Sequence, residues 1–174
     1  AIQHHFQIEF LYHAFDSDKA KKYILQPYAL KEFLGRWYVV GLIFGKSKIL
    51  KFGVDRITTL HITENKFKPD KKIDLQTYFS RMIGIIDNDA ARENIVLSFN
   101  AFQAKYIRTL PLHLSQKEIF TNEHEAHFEY FILANYELLQ KILSYGSEVK
   151  VLKPISLMRE HKQMLKNALA RYKK

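Results

Sequence analysis

Gly35-Arg36-Trp37-Tyr38-Val39-Val40-Gly41-Leu42, followed by Lys51-Phe52-Gly53-Val54-Asp55-Arg56-Ile57, is the stretch on which the fold is read. The only tryptophan stands beside a tyrosine at the head of an apolar run. About a dozen residues later a second short apolar run ends in an Asp-Arg-Ile corner. These read as two antiparallel strands of a small curled sheet, with an aromatic pair near one rim and a cation near the other. An aromatic face beside a cation is what a base or another flat anion needs.

Strand signals extend outward from this pair. Ile8, Phe10 and Tyr12 alternate with Glu9, Leu11 and His13, the period of a half-buried strand. Asp16-Ser17-Asp18 marks a turn, and Tyr23 to Leu30 reads as the next strand, with a bend or an edge at Pro27. Phe33-Leu34-Gly35 turns the chain into Trp37–Phe44, and Gly45-Lys46-Ser47 connects to Ile49–Val54. The β-branched run Thr58–Thr63 closes the set. Five short strands with tight turns suggest a small barrel over residues 1–75, because closure removes exposed edges.

Residues 76–93 read as a connector, with a short helix over Leu75–Ile83 and a polar, turn-like Asp87-Asn88-Asp89-Ala90-Ala91. Residues 94–174 change rhythm. Strands are expected at Asn94–Phe99, Leu112–Phe120, His127–Leu133 and Glu148–Leu152, and helices at Ala101–Leu110 and Tyr136–Leu143. That βαββαβ order is the order of a ferredoxin-like sandwich. A last helix starts near Pro154, a residue suited to a first helical turn. It places Met158, Leu165, Leu169 and Tyr172 on an apolar stripe, and Arg159, Lys162, Lys166 and Lys173 on a basic one. The helix packs on the sandwich with a solvated outer face, or it makes a dimer contact or part of a nucleic-acid track. The fold class is therefore α+β: an Sm-like or SH3-like barrel, then a ferredoxin-like domain with a C-terminal helix.

Composition bounds the function. The 174 residues are 47% hydrophobic and 14% aromatic, which is too apolar for a disordered chain. The formal net charge is +9, which favours polyanionic partners, nucleic acid before an acidic membrane surface. Residues 1–75 hold 13 Lys and Arg against 8 Asp and Glu, and residues 94–174 hold 12 against 7, so both halves share the excess. The absence of cysteine removes disulfides, thiolate nucleophiles and cysteine-ligated zinc, and suits a reducing cytoplasm. No apolar run reaches the length of a membrane span and no signal peptide opens the chain. The first residue is alanine, as expected of a segment from a longer protein.

The two halves resemble a known pair of modules. Trp37-Tyr38-Val39, with valine where the name has leucine, and Phe52 to Ile57 resemble the WYL domain of bacterial transcription regulators. Ile95–Phe99, Leu112–Gln116 and Leu139–Gly146 leading to Val149–Pro154 resemble the WCX extension that often follows it. The resemblance implies an effector-sensing and assembly module, binding single-stranded DNA or a nucleotide on a basic, aromatic-lined face. It also implies a winged helix-turn-helix upstream of residue 1, and dimer contacts with a second copy. In the family an arginine often follows the phenylalanine of this motif, with a basic residue two positions before it. Here those positions are Gly53 and Leu50.

The candidate ligand residues are Tyr12, Lys22, Trp37, Tyr38, Lys51 and Arg56. Arg56 either pairs with Asp55 to pin the barrel corner or presents a planar fork to a phosphate or base. Trp37 and Tyr38 must face opposite sides of their strand. Trp37 is expected mainly in the core and Tyr38 nearer the ligand. Tyr12 is expected in the core with its hydroxyl on polar ground, and Lys22 and Lys51 as nearby cations. No cofactor or metal is expected: His124 and His127 are spaced to opposite faces of a strand, and no nucleophile elbow or phosphate-binding glycine loop occurs. The rival readings are a sensor of a non-nucleotide small molecule, a purely structural dimerisation module and, last, an enzyme.

Overall fold

The computed structural model describes residues 1–46 and 48–172, and the chain divides into two units, Ala1–Asp74 and Leu75–Lys174. Ser47 of the expected Gly45-Lys46-Ser47 connection and Lys173 of the basic stripe lie outside the described residues.

In the first unit five antiparallel strands run β1 (Phe6–Tyr12), β2 (Lys21–Phe33), β3 (Arg36–Ile43), β4 (Ile49–Gly53) and β5 (Ile57–Lys66), in the spatial order β4-β3-β2-β1-β5. The two outer strands of that order are consecutive in sequence. Only a single 3-10 turn, Val54–Arg56, separates them, so the chain steps from one edge of the curled sheet to the other. Val39, Leu25, Ile8, Phe10, Tyr12 and Phe52 form the core inside the curl.

Local chemistry sets the bends. Leu34 and Gly35 both take positive φ (50° and 76°), the requirement of a two-residue hairpin turn matched to strand twist. The expected bend at Pro27 is a bulge: β2 and β3 shift register between Pro27 and Ala29, where proline has no N–H to give the ladder. Another shift lies between Glu9 and Leu11, opposite β5, where Thr59 has φ 51°. Such bulges sharpen the curl.

The second unit has β6 (Glu93–Asn100), α2 (Ala101–Thr109), β7 (Lys117–Thr121), β8 (Glu125–Ile132), α3 (Tyr136–Leu143) and β9 (Val149–Lys153). They follow a short α1 (Leu75–Phe79) and precede α4 (Ile155–Ala170). The sheet is antiparallel throughout, with order β7-β8-β6-β9. Asn100 and Asn135 cap α2 and α3, each accepting a backbone N–H from three residues on. Ile95, Leu97, Phe99, Phe128, Tyr130 and the inner faces of the helices make its core.

Three elements differ from expectation. The strand expected over Leu112–Phe120 starts only at Lys117. Before it, side chains capture the backbone: Gln116 accepts the Leu112 N–H and His113 accepts the Ser115 N–H. The helix expected to reach Ile83 stops at Phe79, ahead of a positive φ (85°) at Gly84. There the Glu137 carboxylate accepts the N–H groups of Ile85 and Ile86, and Asn135 donates to the carbonyls of Ile83 and Ile86. Residues 76–93, expected as a connector, are thus held to the second unit, with Met82 and Ile85 buried. Finally, α4 buries Leu157 and His161, while Leu165, Leu169 and Tyr172 of the expected stripe are exposed.

His161 is buried with its Nε2 lacking a hydrogen-bond partner, and burial holds its pKa below the ordinary value. His113 shifts the same way, chiefly by burial, partly offset by the Ser80 carbonyl. A histidine with a lowered folded pKa is protonated first in the unfolded chain, so folding stability falls as pH drops below about 6.5. Thermal unfolding from pH 7 to pH 5 is expected to show this decline, and His161→Leu to remove part of it. An unchanged pH slope in the variant would show that His161 is not the group responsible.

Candidate ligand site on the first unit

The crossover between β4 and β5 places Arg56 against the end of β1. The His13 N–H donates to the Arg56 carbonyl (3.1 Å), and Tyr12 pairs with Ile57, which fixes the backbone on both sides. The Arg56 guanidinium then lies over two rings, 5.0 Å from the centroid of Tyr12 and 4.4 Å from that of Phe15. A cation held over aromatic faces gains roughly 0.5–2 kcal/mol, depending on how dry the site is.

Gly53 makes this packing possible. A Cβ there would fall 2.7 Å from Asp55 Oδ1 and 2.8 Å from an Arg56 guanidinium nitrogen. The arginine side chain therefore folds back across a backbone with no side chain of its own. The Gly53 N–H donates to the Tyr12 hydroxyl oxygen (3.4 Å), and Tyr38 pairs with Gly53 from β3. Burial raises the Tyr12 pKa, opposed by the Gly53 N–H and by Arg56, so the phenol keeps its proton at neutral pH.

Asp55 does little to hold the arginine. Its Oδ1 is 4.0 Å from Arg56 Nε, the limit of an ion pair, and its side chain is half exposed. Arg56 Nε is buried with no hydrogen-bond acceptor. Leaving a charged donor unmade is costly in a protein interior. The rings thus position a planar fork whose hydrogen-bonding capacity the protein does not fully use.

Three of the six residues singled out from the sequence meet here: Tyr12, Tyr38 and Arg56. Trp37 does not, and its expected place in the core is corrected, since it is 54% exposed. It pairs with Glu32 close to the Leu34–Gly35 turn, on the stretch of β2 beyond the reach of β1, so nothing on the sheet covers it. Lys51 projects from the strand face opposite that of the buried Phe52, across from Val40.

Lys22 lies elsewhere, in an open groove of about 860 Å³ over the start of β2. Lys21, Lys46 and Lys66 also line it, together with Tyr23 and Phe44. Lys22 pairs with Glu9 at 2.7 Å. Lys21 sits 5.4 Å from the Tyr23 ring centroid, and the Tyr23 ring meets that of Tyr12 at 6.2 Å. Aromatic contacts therefore run from the groove to Arg56. Sequence reasoning missed Lys21, Lys46 and Lys66; the Lys21-Lys22 doublet was the available signal, whereas Lys46 and Lys66 are brought in only by strand pairing.

The sheet of the second unit carries a polar cluster around Glu125. Ser98 donates to Glu125 (2.5 Å), which also takes His127 at 2.9 Å, and these bonds lower the Glu125 pKa. The serine bonds to the carboxylate and not to the imidazole. Among the described residues no group of histidine and acidic side chains could hold a metal ion, and no helix is long and apolar enough to cross a membrane.

The first unit is thus a small curled sheet with an arginine laid over two aromatic rings at its edge. Residues 1–62 match the family model of the WYL domain. No curated protein matches the chain. Among solved structures, the chain is similar to one titled a CRISPR Cas-related protein, at 14% identity and TM-score 0.57, over 99% of this chain and 49% of that one. It is also similar to the proteasome accessory factor B/C (PafBC) of Arthrobacter aurescens, at 20% identity and TM-score 0.42, over 92% of this chain and 24% of that one. The chain thus spans half or less of the length of these proteins. The first likeness, at so low an identity, shows a shared fold.

Gly53→Ala tests the packing. The atoms its Cβ would meet are ends of side chains, so the fold is expected to survive with little change in melting temperature while Arg56 is displaced. Tyrosine fluorescence and the Arg56 side-chain resonance should both report that displacement. A variant with an unmoved arginine would contradict the close approach.

Proposed function

We propose that this chain is the effector-sensing and assembly module of a bacterial transcription regulator, whose first unit binds a nucleic-acid-derived ligand, single-stranded DNA or a nucleotide. The observation that carries the reading is Arg56, whose guanidinium lies over the Tyr12 and Phe15 rings while its side chain keeps 21% exposure to solvent. A planar, permanently charged fork suits phosphate or the edge of a base. The WYL match over residues 1–62 and the net charge of +9 support it.

In this reading the first unit is an Sm-like or SH3-like barrel, closed by the 3-10 step from β4 to β5. The second is a ferredoxin-like, WCX-like domain, for which its βαββαβ order and antiparallel sheet speak. The module works by binding, not catalysis, in the cytoplasm. Its ligand biases the activity of a DNA-binding domain elsewhere in the full protein, with a second copy of the chain as a further partner.

Fluorescence anisotropy with short oligonucleotides tests this. Single strands are expected to bind more tightly than duplexes of the same sequence, because aromatic side chains stack only on unpaired bases. Arg56→Lys should weaken binding although the charge is kept, and Arg56→Ala should cost more, on the order of 1–3 kcal/mol. Equal binding of single strands and duplexes would leave charge alone as the cause. An Arg56→Ala protein that melts earlier yet binds unchanged would make the arginine a corner clamp only.

A further inference from the structure

The groove over β2 is separate from the Arg56 fork and has its own chemistry. Lys21, Lys22, Lys46 and Lys66 are all exposed, and only Lys22 has a carboxylate partner, Glu9. Three ammonium groups therefore share one concave surface without a carboxylate partner among the described residues, Lys21 and Lys66 lying instead over the rings of Tyr23 and Phe6. Like charges gathered in a groove repel one another, a cost that an anionic ligand relieves. Lysines act as mobile point charges, suited to following a flexible chain of phosphates and not to gripping one compact anion. Two apolar side chains accompany them, Ile24 at 41% and Phe44 at 72% exposure. A phenylalanine standing in water among lysines offers a face to a base.

We infer that this groove is a second binding site, a track that takes the phosphate chain of a single-stranded nucleic acid, with Phe44 stacking on one of its bases. Aromatic contacts lead from it towards Arg56: Lys21 lies against Tyr23, Tyr23 against Tyr12, and Tyr12 under Arg56. The inference rests on the nucleic-acid reading above and narrows it, because a lone nucleotide would use the arginine fork and leave the groove empty. The lysines supply the salt-dependent part of the affinity, and Arg56 supplies a local contact.

The test is the salt dependence of binding to a short oligothymidylate by the whole chain. For single strands, each phosphate contact contributes about 0.7 to the slope of log affinity against log salt. Lys21→Gln, Lys46→Gln and Lys66→Gln combined should therefore flatten the slope by roughly two units. Arg159→Gln, Lys162→Gln and Lys166→Gln on α4 remove the same charge outside the groove, and should leave the slope as it was. Phe44→Ala should weaken binding roughly tenfold at unchanged slope, the loss of one stacked base. All these side chains are exposed, so melting temperatures should hold.

An unaltered slope in the groove triple, or an equal flattening in the α4 triple, overturns the track. If the groove triple is unaltered while Arg56→Ala still weakens binding, the fork survives without the groove. If the triple flattens the slope and Arg56→Ala changes nothing, the groove stands and the fork is wrong. No binding by the unmodified chain at low salt overturns both.

Discussion

The first unit depends on one constraint: a single 3-10 turn must carry the chain from β4 on one edge of the sheet to β5 on the other. Only a strongly curled sheet brings those edges close enough. The bulges opposite Pro27 and beside Glu9 supply curl, and the packing of Tyr12 against Phe52 (4.9 Å between centroids) fills the space it encloses. Arg56 is the last residue of that turn. Its guanidinium is laid over Tyr12 by the same geometry that closes the sheet, and Gly53 clears the room for it. The arginine's position therefore follows from the fold.

Much of this was legible in the residues. Period-two alternation placed β1, because a sheet with one buried face imposes that rhythm, whereas β3 and β4 were placed by the Trp37–Leu42 and Lys51–Gly53 runs, in which consecutive residues are buried. Arg56 and Tyr12 could be named as candidates. Their stacking could not, since it depends on which strand ends meet. Trp37 was misplaced because a large aromatic in an apolar run suggests core, whereas the end of a hairpin that outruns its neighbour is exposed. The groove was hidden for a similar reason: Lys21 and Lys66 are 45 positions apart in sequence. Only the pairing of β1 with both β2 and β5 puts them on one surface.

The second unit shows how local hydrogen bonds override pattern. Leu112 to Gln116 has the residues of a strand, but Gln116 and His113 occupy the neighbouring backbone N–H groups. The stretch after α1 has the polarity of a linker, yet Glu137 and Asn135 bind it to the start of α3. Carboxylates and amides that capture backbone groups leave little trace in hydrophobic periodicity. The exposed end of α4 is a further case: its stripe is regular, but packing ends near His161 and Met164.

The central claim is that the Arg56 side chain is a ligand contact held ready by the fold, and not merely a corner clamp. The most direct measurement is the arginine Nε–H resonance of Arg56, followed by NMR as a short single-stranded oligonucleotide is added. The account predicts that this resonance shifts in step with binding, as the exposed part of the guanidinium acquires an acceptor. An Arg56 resonance that stays in place while the oligonucleotide binds would contradict it.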